Sequence, residues 1–194
     1  MKNKILVFPI ITIALAACSS GANSNSSAKN SSIDTPVAAT SPTTATPKTE
    51  VSVKGILDGY LHLKNALVTD NGNDAATAGT ELLNAVNKMD ASSMSVEQKK
   101  VFADVADDMK ENAEHISTNA GKIEHQREHF EMLSKDIADM VKVFGTGGQT
   151  LYRDFCPMYN DGKGAYWISE SKAIKNPYLG KAMPTCGTVK EEIK

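Results

Sequence analysis

The residues with most to offer chemically lie near the end of the chain. Cys156-Pro157-Met158 and Met183-Pro184-Thr185-Cys186 each set a cysteine and a methionine two or three residues apart. Thiolate and thioether sulfur are soft donors and together select Cu(I), or Ag(I), over hard cations. One such pair is weak, because methionine ordinarily fills core space. Two pairs in one short segment point to a soft-metal site made of Cys156, Met158, Met183 and Cys186. His125 and His129 are four residues apart in a helical stretch, so they share a side of it and are candidate additional ligands. Two imidazoles with two thiolates would instead suit tetrahedral Zn(II), which is the less favoured ion for a Cys/Met set. The bland alternative is a disulfide. Two leftover cysteines in an oxidising compartment usually pair, and closing a loop of that length adds roughly 3–4 kcal/mol. Such a staple has no use for Met158 and Met183, whereas a Cu(I) site does.

The start of the chain says which compartment applies. Met1-Lys2-Asn3-Lys4 is basic, and the apolar run Ile5 to Ala14 is broken only by Pro9 and Thr12. A membrane-spanning helix needs about 20 apolar residues, so this run reads as a secretory signal rather than a span. It ends in Leu15-Ala16-Ala17-Cys18, which resembles the lipobox of bacterial lipoproteins. Residues 1–18 are therefore expected to be a lipoprotein signal peptide, with Cys18 the lipidated residue. Ser19 and Ser20 follow it, with no Asp at the second mature position, which by analogy favours the outer membrane, facing the periplasm. Residues 19–50 are nearly all Ser, Thr, Asn, Ala and Pro. They lack the apolar surface needed to offset chain entropy and read as a disordered tether.

Residues 51–194 are the size of one domain. Apolar residues at helical spacing mark four segments. Val53, Ile56, Leu57, Tyr60, Leu61, Leu67 and Val68 define the first, up to a break at Asn71-Gly72-Asn73. Ala75, Ala78, Leu82, Val86 and Met89 define the second, with Asp74 as its N-cap or first-turn acid. Ser95 with Gln98 reads as a capping box opening the third, which carries Val101, Val105, Met109 and Ile116. The fourth carries Ile123, Phe130, Leu133, Ile137, Met140, Val141 and Phe144, and Gly145 to Gly148 end it. His62 falls on the first helix, and His115 falls near the apolar face of the third. After Gly148 the chain turns to Gly, Pro and Tyr, and Asn160 to Gly164 reads as a turn between two short extended pieces. Trp167, Tyr152, Tyr159, Tyr166 and Tyr178 supply an apolar body to dock that segment. The expected fold is mainly α: an antiparallel four-helix bundle with an irregular C-terminal segment, a short β-hairpin and turns, docked on it.

A net charge of −2 with no basic patch argues against nucleic acid as a partner. No Walker loop, dinucleotide fingerprint or Gly-x-Ser-x-Gly elbow is present. No acid–base constellation accompanies the cysteines, so the chain is expected not to be an enzyme.

The strings Tyr60 to Val68, His125-Gln126-Arg127-Glu128-His129-Phe130, Cys156-Pro157-Met158, Gly164 to Ser169, and Ile174 to Met183 with Cys186-Gly187 carry a resemblance. They resemble a bacterial domain family of formally unknown function over residues 52 to 191. That domain occurs alone in lipoproteins and at the C-terminus of periplasmic adaptors of copper/silver efflux pumps. The resemblance implies heavy-metal handling, with efflux adaptor or pump proteins as partners. It carries over Cys156, Met158, Met183, Cys186, His125 and His129, while the position of His62 varies in the family.

Overall fold

The computed structural model describes residues 52–194. The signal, Cys18 and the tether lie outside the described residues. Four helices come first: α1 Lys54–Val68, α2 Gly72–Asn87, α3 Val96–Thr118 and α4 Ile123–Phe144. Three strands follow: β1 Leu151–Cys156, β2 Ala165–Ser169 and β3 Thr188–Ile193. Among the described residues, no helix is long and apolar enough to cross a membrane.

The helices form where the apolar spacing places them, and each packs on the next in sequence. Asn71 caps α2 by accepting from the Asp74 N–H, so Asp74 is a first-turn acid and not the cap. The Ser95/Gln98 capping box is complete, with Gln98 N–H to Ser95 Oγ 3.2 Å and Ser95 N–H to Gln98 Oε1 3.0 Å. Gly145 closes α4 at φ 80°. Tyr60, Leu63, Leu67, Leu82, Met109, Ile116, Phe130, Leu133 and Ile137 fill the bundle interior and are fully buried.

The C-terminal segment is more regular than its composition suggests. β1 and β2 make the expected antiparallel hairpin, and β3 adds an antiparallel strand on the other edge of β1, giving the order β2-β1-β3. β3 is Thr-Val-Lys-Glu-Glu-Ile and mostly exposed, so it shows little of the alternation that marks a half-buried strand. Polar bonds tie the sheet to the bundle. The Tyr60 hydroxyl accepts from the Ile168 N–H at 3.1 Å and bonds Ser134 Oγ at 2.8 Å. The Tyr178 hydroxyl donates to the Tyr166 carbonyl, and buried Lys64 reaches Glu170 Oε2 at 2.7 Å.

Asp154 is the costly residue of the sheet. It is fully buried, and neither carboxyl oxygen has a hydrogen-bond partner among the described residues. Burial pushes its carboxyl up to about 7; Lys64 opposes the shift and Glu170 adds to it. The folded chain thus keeps a proton that the unfolded chain releases near its ordinary value of 3.8. Stability from this group is therefore full below that value and is lost as pH rises towards 7. Asp154→Asn should raise stability at pH 8 by about 1–3 kcal/mol and flatten the decline between pH 5 and 8. Thermal melts at both pH values check this, and parallel losses in the two proteins would contradict it.

Candidate metal centre

Two groups of ligating side chains stand out, one on the sheet and one on the helices. Cys156 is the last residue of β1, in register with Ala165 of β2, and its side chain is wholly buried. Pro157 then ends the strand and Met158 opens the turn. Cys186 comes from the loop before β3. Asn176 organises that loop: its Nδ2 donates to the Cys186 carbonyl at 2.7 Å, and its Oδ1 accepts from the Tyr178 and Leu179 N–H groups. Gly187 has φ 142°, and a Cβ there would sit 2.9 Å from the Trp167 ring, so only glycine lets the loop lie this close to β2.

These supports bring the two sulfurs to 3.2 Å, and both cysteines are free. A disulfide would need about 2.05 Å. Two sulfurs on one tetrahedral ion with bonds of about 2.3 Å would stand roughly 3.8 Å apart. The observed gap lies between the two, so either product needs only a small displacement. The Cys186 thiol is pushed up by its hydrogen bond with Cys156 and by burial, while the Met158 backbone opposes this. Met158 and Met183 are 58% and 39% exposed, so neither is core filler. The Cys186 N–H bonds the Met183 carbonyl at 3.2 Å, which folds that methionine's backbone back beside the cysteine.

His125 and His129 do not join the cysteines. They meet His115 of α3, and one ring nitrogen from each of the three lies within 4.8 Å of the others. His115 and His129 stack at 4.3 Å between ring centroids, and His125 stands edge-on to His129 at 4.6 Å. Burial, then the His115 and His125 charges, hold His129 below the usual histidine range. The spacing of His125 and His129 was visible along one helix, but the approach of His115 depends on the α3/α4 register. His62 stands apart, bonded to Glu81 at 2.8 Å and Asp74 at 3.2 Å.

Residues 56–149 match the family described as protein of unknown function (DUF3347). The matched stretch is just under half of the chain. The match takes in almost all of α1 and the whole of α2–α4, so it includes the three histidines; it ends at Gln149, before β1 and both cysteines. Comparison with curated proteins and with solved structures returned no match. The DUF3347 description names no activity.

Proposed function

We propose that this protein is a non-enzymatic metal-binding lipoprotein of the cell envelope. It holds Cu(I) between Cys156 and Cys186 and buffers the ion or delivers it to an efflux adaptor or pump. The observation that carries the reading is the pair of free thiols at 3.2 Å, formed from residues 30 apart in sequence. Met158 and Met183 flank those cysteines in the chain and are exposed, which leaves their thioethers available as the second pair of soft ligands. Zn(II) is disfavoured there because it prefers imidazole or additional thiolate. Cys18, acylated after cleavage at Leu15-Ala16-Ala17, would hold the protein at the outer membrane with the domain in the periplasm.

The same 3.2 Å approach supports a second reading, in which oxidation closes Cys156 and Cys186 into a staple and the domain serves as an envelope interaction module. A thiol count on the purified chain, with and without reductant, followed by metal analysis, separates the two. The copper reading expects two reactive thiols that copper protects. It also expects Met158→Leu and Met183→Leu to weaken Cu(I) binding by about tenfold or more with the melting temperature unchanged, since the swap removes sulfur at nearly constant volume. A chain isolated with no free thiol, indifferent to both methionine changes, would favour the staple.

A further inference from the structure

We propose that His115, His125 and His129 form a second metal site, separate from the cysteines, for a borderline divalent cation of the Zn(II) class. The three rings come from the end of α3 and the beginning of α4, which the short connection at residues 119–122 folds against each other. Their nearest ring nitrogens are within 4.8 Å of one another. Nitrogens on one tetrahedral ion with bonds of about 2.0–2.1 Å stand roughly 3.3 Å apart, so modest ring rotations close the set. All three rings are partly exposed, which gives an ion access and the rings room to turn.

The surrounding hydrogen bonds match what a histidine ligand needs. His129 Nδ1 lies 2.9 Å from Asn112 Oδ1. The amide orientation is fixed independently, because Asn112 Nδ2 donates to the Asp108 carbonyl at 2.9 Å. The oxygen therefore faces the imidazole and can only accept, so Nδ1 carries the proton and Nε2 keeps its lone pair. His125 Nδ1 is 3.4 Å from Glu128 Oε2, which sets the same tautomer. An outer oxygen acceptor that orients the ring and frees the other nitrogen is the usual support of a metal-bound histidine. Asn112 is itself buried, so its position is held by the fold and not by chance. His129 also lines a cleft of about 340 Å³ that includes Asp108, Glu111 and Asp136, whose carboxylates favour a cation. Three imidazoles suit Zn(II), Cu(II) or Ni(II), and they leave a fourth position for water or another ligand.

The site does not rest on the cysteine reading, and the experiment keeps the two apart. Zn(II) is titrated calorimetrically into the full chain carrying Cys156→Ser and Cys186→Ser, and Co(II) is added to report geometry by its visible absorption. One Zn(II) per chain is expected, with a tetrahedral or five-coordinate Co(II) spectrum. His115→Gln, His125→Gln or His129→Gln added singly should each weaken binding at least tenfold, with circular dichroism unchanged. Asn112→Ala should weaken it by about 10–100-fold. In the chain with both cysteines intact, the histidine changes should leave Cu(I) binding as it was. Absence of Zn(II) binding, or binding indifferent to all three histidines, overturns the proposal whatever the cysteines do.

Discussion

Replacing Arg127 with alanine should cost about 2–3 kcal/mol of folding stability, because it removes buried hydrogen bonds to the Leu67 and Pro177 carbonyls together with the cation that pairs Asp70. Arg127 sits in the second turn of α4 and is almost fully buried. Its guanidinium donates to the Pro177 carbonyl at 2.9 Å, the Leu67 carbonyl at 3.2 Å, Glu124 at 2.7 Å and the Asp70 carboxylate. One side chain thereby joins the end of α1, helix α4 and the loop that leads to Cys186. Burial alone would raise the Asp70 carboxyl, but Arg127 and the Lys181 N–H outweigh it and hold it below the usual range. That contribution is present above the ordinary carboxylate range and is lost as pH falls through the lowered value. Urea denaturation of Arg127→Ala at pH 7 reads the loss directly. Arg127→Lys should recover only part of it, since an ammonium cannot serve four acceptors in a fork. A loss under 1 kcal/mol would mean that the loop is held by packing alone.

Changing either cysteine to serine should lower Cu(I) affinity at least about 100-fold, equivalent to roughly 2.7 kcal/mol, because a hydroxyl is a hard and weak donor for a soft ion. The two changes differ in their structural side effects. Cys156 is wholly buried beside Ala165, so a hydroxyl there also costs about 1–2 kcal/mol of stability. Cys186 is only partly buried, and its serine variant should lose the metal with a smaller change in melting temperature. Loss of binding in Cys156→Ser alone, with full affinity in Cys186→Ser, would point to unfolding and not to ligation.

Much of this arrangement was legible in the chain, for physical reasons that differ by element. The helices follow from apolar residues at a period near 3.6, and the start of α3 from one capping box. The β1–β2 hairpin follows from the Asn160 to Gly164 turn, where Asn160, Asp161, Gly162 and Gly164 all take positive φ. β3 was not legible, because an exposed edge strand buries too little to leave an alternating pattern. Cys156 and Cys186 could be singled out from their types, but their 3.2 Å approach comes from the pairing of β1 with the loop before β3, which no local pattern encodes. The histidines were only partly legible. His125 and His129 share a helix face, but their meeting with His115 is set by how α3 lies on α4, which no local pattern encodes. Arg127, Lys64 and Asp154 were missed as buried groups, because charged residues in helices and strands are ordinarily solvated and only tertiary partners reveal the exceptions.

The proposed copper site requires that Cys156 and Cys186 hold a soft ion together. It is tested most directly by titrating the fully reduced chain with Cu(I) against a chromophoric Cu(I) chelator, alongside the Cys156→Ser/Cys186→Ser variant. The reduced chain is expected to withhold one equivalent of Cu(I) from the chelator, and the double variant to surrender it. If both proteins release copper equally, the two thiols are not a copper site.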